Sequence, residues 1–170
     1  MQRANVDLEA EMNELLKRVL VSVILIPVVL VVLYYRGLPL VIALLLVVFF
    51  GCLEYIRMMH KALVNINYFW VILNSFFYLA LIYTEGLDLP ILWLALLLAV
   101  GETIFTWNED KSVPRLFATL FGFVYTAIFP ALMVRVSFYY EEYNFLLALI
   151  LLIWFVDSTA YFVGMKMGKH

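Results

Sequence analysis

Six apolar runs alternate with short polar segments along the chain, at residues 19–35, 38–56, 68–84, 89–106, 116–134 and 145–163. Each is close to the ~20 residues that a helix needs to cross ~30 Å of hydrocarbon. The pattern therefore predicts an all-α, polytopic transmembrane protein with about six membrane-spanning helices. Arg36 and Gly37 make a short first turn, and Glu85-Gly86-Leu87-Asp88 makes another. Polar loops are expected at 57–67, 107–115 and 135–144, the last rich in tyrosine and acid. Pro27 lies inside the first run, where a membrane helix tolerates a kink. Residues 1–18 are polar and mixed in charge, with Val6, Leu8, Met12, Leu15 and Leu16 at loosely helical spacing, which predicts a short interfacial helix. The run after them does not read as a signal peptide, because acids precede it and no small-residue cleavage site follows. With no linker, low-complexity tract or clear repeat, residues 1–170 read as one domain: an N-terminal polar segment, 1–18, and a membrane-spanning portion, 19–170.

Composition removes the soluble alternative. The chain is 66% hydrophobic and 14% charged, against about 25% charged for an ordinary soluble domain. Such an excess cannot be hidden in a core of this size. The net charge of −2 gives no reason to expect nucleic-acid binding. The lone cysteine, Cys52, excludes an internal disulfide and a cysteine-based metal cluster, and reads as a small hydrophobe.

Charge also orients the chain. With the N-terminus inside, the cytoplasmic segments hold Arg3, Lys17, Arg18, Arg57, Lys61, Lys111, Arg115, Lys166 and Lys169, and the outer turns hold only Arg36 and Arg135. This bias predicts that both termini are cytoplasmic. Tyr34, Tyr35, Tyr68, Trp70, Tyr83, Trp107, Tyr139 and Tyr140 fall near predicted helix ends, as an interfacial aromatic belt requires.

Ionisable groups inside the runs carry the chemical information, since a central aspartate costs ~2.5–3.5 kcal/mol to insert. Glu54 and Glu102 lie within about a turn of helix ends and read as interfacial anchors or as partners of Arg57 and Lys111. Asp157 lies deeper, after Trp154, Phe155 and Val156. On a helix Tyr161 and Gly164 share its face. Ser158, Ala160, Gly164 and Gly168 are small enough for a backbone or ligand to approach, although Gly164-x-x-x-Gly168 more often means helix packing. Lys166, Lys169 and His170 add positive charge at the boundary. A carboxylate able to hold a cation, followed by bases at headgroup depth, suits a phosphate-bearing lipid or nucleotide. Two other classes compete: a cation- or proton-coupled transporter using Glu54, Glu102 and Asp157, and a structural partner subunit assembled through its intramembrane charges.

The segment Asp157-Ser158-x-Ala160-Tyr161-Phe162-x-Gly164-x-Lys166-x-Gly168-Lys169-His170 resembles a motif of the phosphatidate cytidylyltransferase (CDP-diacylglycerol synthase) family. Leu16-Lys17-Arg18-Val19 with Ile26-Pro27, and Glu54-Tyr55, are weaker echoes of the same family. Met165 stands where many members have a basic residue, with Lys166 next to it. The family's later Ser-Pro-x-Lys segment and its His-Gly-Gly signature are not in this sequence. The resemblance thus implies the N-terminal portion of a longer enzyme, inactive as this portion alone, with further metal ligands beyond residue 170.

The activity implied is transfer of CMP from CTP to phosphatidate, giving CDP-diacylglycerol and pyrophosphate in phospholipid biosynthesis. The resemblance implies Asp157 as the catalytic and metal-binding residue, Tyr161 as its support, Lys166 and Lys169 as phosphate ligands, and Mg2+ as cofactor. Its implied partners are CTP, phosphatidate and membrane lipids, with a homodimer left open. Its implied location is a bacterial plasma (inner) membrane with a cytoplasmic active face.

Overall fold

The computed structural model describes residues 20–108, 111–140 and 144–167, the side chains of 166 and 167 excepted. The interfacial helix expected before residue 19 lies outside the described residues. Those described form six helices, here α1 (Leu20–Tyr35), α2 (Gly37–Lys61), α3 (Phe69–Tyr83), α4 (Asp88–Phe105), α5 (Ser112–Tyr139) and α6 (Phe145–Met167), with no strand among them. Helices α2, α4, α5 and α6 are long and apolar enough to cross a membrane, and α1 and α3 are shorter apolar helices. The chain is a polytopic helical membrane protein, as the hydrophobic pattern predicts.

Several helices overrun their apolar runs. Residues 57–61, 112–115 and 135–139 are helical, although their polarity places them in loops. The physical reason is that a helix satisfies its backbone whatever its side chains are, and Lys and Arg can carry their charge outward on apolar stems. Pro27 does not interrupt α1.

The described helices fall into two units, residues 37–146 and the chain ends 1–36 with 147–170. In the first, α3 and α5 are central and α2 and α4 flank them. The helices alternate in direction. At one end Trp70 of α3 meets Glu102 of α4, and Tyr55 of α2 meets the first turns of α5. At the other, Arg135 of α5 reaches Asp88 of α4. Helix α4 buries a narrow stripe, Ala95, Ala99 and Thr103, one residue per turn. Helix α5 buries Ala127, Ala131 and Val134 among others. Small residues at this spacing let backbones approach where apolar burial gives no advantage over lipid. Between α3 and α5, Phe77 and Phe123 meet edge to face with centroids 5.4 Å apart. Tyr78 is fully buried and donates to the Val41 carbonyl of α2 at 2.9 Å.

Gly122 makes the closest approach. A Cβ built there would lie 2.6 Å from Tyr55 Cε1, and the Tyr55 hydroxyl donates to the Ala118 carbonyl one turn away at 2.7 Å. Immediately beyond, residues Val124–Ile128 form a π-turn in which the Phe129 N–H bonds to the Val124 carbonyl, five residues back. Pro130 follows and has no N–H to give. The wider turn accommodates the missing donor without ending the helix.

Helix α2 ends in a Schellman motif: Leu63 N–H bonds to the His60 carbonyl and Val64 N–H to the Met59 carbonyl. Leu63 occupies the left-handed position at φ 63°, which glycine normally takes because a Cβ is penalised there. Its side chain is exposed and contributes little packing. Leu63→Gly is expected to raise stability by ~0.5–1 kcal/mol, read as a higher midpoint of thermal unfolding in detergent; an unchanged or lower midpoint would contradict the strain. Gly122→Ala should do the opposite, costing ~1–3 kcal/mol of stability through overpacking and so lowering the midpoint. Combining it with Tyr55→Ala should cost less than the two single changes summed.

Candidate functional site

Asp157 and Tyr161 lie on one continuous helix, α6. Successive residues turn by about 100° and rise 1.5 Å, so positions four and seven apart share a face. Asp157, Tyr161 and Gly164 therefore line up as the spacing predicts. Asp157 and Tyr161 are exposed, and a Cβ at Gly164 would meet nothing within 4 Å. The neighbouring hydroxyls turn back to their own helix: Ser158 donates to the Trp154 carbonyl at 2.7 Å, and Thr159 to the Phe155 carbonyl at 2.5 Å. Neither competes for the carboxylate.

The helix does not bring Lys166 to Asp157. Nine residues correspond to about 13 Å of rise and about half a turn of rotation. The two backbone positions are thus on opposite sides of the helix axis and at different depths. Lys169, Gly168 and His170 lie outside the described residues, as does the Lys166 side chain.

The other two acids have different surroundings. Glu54 is exposed on α2. Glu102 accepts a hydrogen bond from the Trp70 indole N–H, Nε1 to Oε2 at 2.5 Å, where the sequence suggests an interfacial anchor or a partner of Lys111. Trp70 itself is buried, so it is a packed anchor between helices and not part of the aromatic belt. The other belt residues, from Tyr34 to Tyr140, are exposed as expected. Beside the Trp70–Glu102 pair is a mostly apolar recess of about 420 Å³, lined by Phe69, Leu73, Leu97, Gly101 and Phe105 among others. Arg115 reaches back to the end of α4, donating to the Thr106 carbonyl at 3.0 Å.

A buried polar chain joins α2, α3 and α5, and reading for ionisable groups alone does not find it. The Asn74 amide donates to Thr126 Oγ1 at 3.0 Å and to Cys52 Sγ at 3.2 Å. Thr126 Oγ1 in turn donates a hydrogen bond to the Gly122 carbonyl. Cys52, a small hydrophobe by its apolar setting, is buried and not lipid-facing, and it also receives a hydrogen bond. The available signal was a lone asparagine within an apolar run, because neutral amides also act as contacts between membrane helices.

Magnesium can be tested against these donors. No group of three His, Cys, Asp or Glu side chains that could hold a metal occurs among the described residues. A closed protein cage is therefore not formed by them. Magnesium commonly uses only one or two carboxylates together with substrate phosphates, and Asp157 fits that more open mode.

Fold and charge placement define a polytopic membrane protein whose exposed α6 carboxylate sits within an apolar helix. The model of the cytidylyltransferase family matches residues 16–170, and the chain belongs to that family. Its class of activity is therefore nucleotidyl transfer. No curated protein and no solved structure gives a significant match.

The Trp70–Glu102 contact yields a graded expectation. Glu102→Gln keeps an acceptor and should leave stability nearly unchanged. Glu102→Leu strands the buried indole N–H and should cost ~1 kcal/mol or more, measured by unfolding in detergent. Equal losses for the two variants would show that charge, not the acceptor, matters.

Proposed function

We propose that this cytidylyltransferase acts on phosphatidate, transferring CMP from CTP to give CDP-diacylglycerol and pyrophosphate. The reading is carried by one observation: Asp157 lies on an unbroken apolar helix with Tyr161 on the same face, in a segment within the family match. A lipid acceptor accounts for a nucleotidyltransferase built from membrane helices. In the reaction a phosphate oxygen of phosphatidate forms a bond to the α-phosphorus of CTP. The bond from that phosphorus to the bridging oxygen breaks, and pyrophosphate leaves with the electron pair. Catalysis of this kind depends on alignment and on neutralising charge that develops on the phosphates.

Asp157 is the residue that would hold Mg2+, which when bound supplies positive charge to the triphosphate. Tyr161 supports the carboxylate from the next turn. Lys166 and Lys169 capture phosphate at the membrane boundary. The position of Lys166, about 13 Å along the helix from Asp157, suits recruitment and not contact with the same reacting atom. We place the active face on the cytoplasmic side of a bacterial plasma membrane, because the lysines and arginines gather at that end and CTP is a cytosolic nucleotide. The transporter alternative needs convergent carboxylates, and Glu102 is engaged by Trp70 while Glu54 is exposed on another helix.

The test is CTP turnover by the product of the complete reading frame in detergent–phosphatidate micelles, followed as labelled CMP entering the lipid phase. Asp157→Asn should lower kcat by about 100-fold or more while the protein keeps its helical circular dichroism. Lys166→Gln should chiefly raise the apparent KM. Turnover unaltered in the Asp157 variant would remove its proposed role, and labelling of some other acceptor but not phosphatidate would remove the substrate.

A further inference from the structure

At the end of the α2–α5 unit opposite Trp70 and Glu102, two cavities share one lining residue, Arg135. The larger, about 620 Å³, is lined by Ile82, Glu85, Arg135, Phe138 and Tyr139. The smaller, about 160 Å³, is an apolar cleft in which Leu81, Leu92, Ile128 and Leu132 are joined by Asp88 and Arg135. Arg135 Nη1 and Asp88 Oδ1 are 2.6 Å apart, and both side chains are partly exposed. The ion pair bridges α4 and α5 and holds the side chain of the one residue that lines both cavities.

We propose that these cavities form a binding site for one phospholipid whose headgroup carries a phosphate and a primary ammonium, the phosphatidylethanolamine class. The cleft takes part of an acyl chain, and the wider cavity takes the headgroup. Arginine presents five donors in a planar fork, and the Asp88 contact engages Nη1. The fork is suited to a phosphate at the cavity wall. The remaining choice is made by charge. Glu85 lines the larger cavity and Asp88 the smaller, so two acids stand against the one arginine common to both linings. A purely anionic headgroup would add negative charge to that surplus. A primary ammonium offers three donors to Glu85, whereas a quaternary ammonium offers none. This site uses none of the residues assigned to nucleotidyl transfer, and it stands whether or not phosphatidate is the acceptor.

Native mass spectrometry of the complete protein in detergent decides the matter. Phosphatidylethanolamine, phosphatidylcholine and phosphatidylglycerol of matched acyl chains are supplied separately at equal concentration. A one-to-one adduct is expected to be retained about fivefold more with phosphatidylethanolamine than with either other lipid, the order that hydrogen bonds to charged groups would produce. Leu132→Trp fills the cleft from a half-exposed position and should lower that adduct about tenfold, as should Arg135→Gln. Leu94→Trp, on an exposed part of α4 away from both cavities, should not. Equal retention of the three lipids, equal retention of phosphatidylethanolamine and phosphatidylcholine, or preference for phosphatidylglycerol would overturn the proposal. So would a Leu132→Trp protein that holds phosphatidylethanolamine as the unaltered protein does. That variant keeps the Asp88–Arg135 pair, so it decides the question even if Arg135→Gln fails to fold.

Discussion

Everything in this structure depends on one constraint: in hydrocarbon no water is present to satisfy a polar group. The backbone meets it by being helical throughout the apolar runs. Seven hydroxyls meet it locally, with Ser75, Thr84, Thr103, Thr106, Thr126, Ser158 and Thr159 each donating to the carbonyl four residues before it. This back-bonding slightly weakens helices in water, but in lipid it hides the hydroxyl at no cost in partners. Pro130 presents the same problem in reverse, since it removes a donor. The π-turn before it shifts the bonding pattern of α5, and the Thr126 hydroxyl lies in that turn. The asparagine that faces it, Asn74, belongs to the same solution on its donor side, because its amide N–H groups reach side chains of two other helices, while its Oδ1 is left without a partner among the described residues. A helix junction that must meet these bonds is fixed in rotation as well as in depth.

The same constraint sorts the charges. Within the α2–α5 unit two acids have a definite partner, Asp88 holding Arg135 and Glu102 accepting from Trp70, while Glu54 is exposed on α2. Both contacts tie neighbouring helices near their ends, where the dielectric is higher and a charged group is less costly than at mid-bilayer. Asp157 has no such partner among the described residues, although its flanking side chains are apolar. A carboxylate at that position must be met by water, a cation or protein. That requirement, and not exposure by itself, separates it from the structural acids.

The hydrophobic pattern made the helices legible because lipid imposes a length and a composition that few other structures share. It placed the apolar runs well and the helix ends poorly. Polarity marks where the hydrocarbon stops, while the helix stops only where a Schellman turn or a short loop takes over its carbonyls, as at Leu63. Asp157 and Tyr161 were legible because four residues on a helix is a fixed geometry. The Trp70–Glu102 contact was not, since it joins residues 32 apart in the chain. Tryptophan near a helix end suggests a lipid interface as readily as an interhelical anchor, and only the packing of α3 on α4 distinguishes them. Cys52 shows the same limit: its reading as a small hydrophobe follows from its apolar run, and its burial and place in the Asn74 network do not.

The geometry of α6 also constrains how a lipid-directed transferase can divide its work. If Lys166 lies at headgroup depth, Asp157 lies about 13 Å deeper along a straight helix and half a turn away. A single phosphate cannot touch both positions. Phosphate chemistry at Asp157 therefore requires a polar path from the boundary to that depth, because a triphosphate cannot be desolvated into hydrocarbon without charge compensation. The lysines are suited to the start of such a path and the carboxylate to its end. Small side chains at Ser158 and Ala160 keep the helix slim beside Asp157, and the self-bonded Ser158 and Thr159 hydroxyls leave the carboxylate as the group available to a cation. Under the proposed roles, the ordering of residues along one helix would correspond to an ordering of events, with capture at the boundary before alignment in the interior.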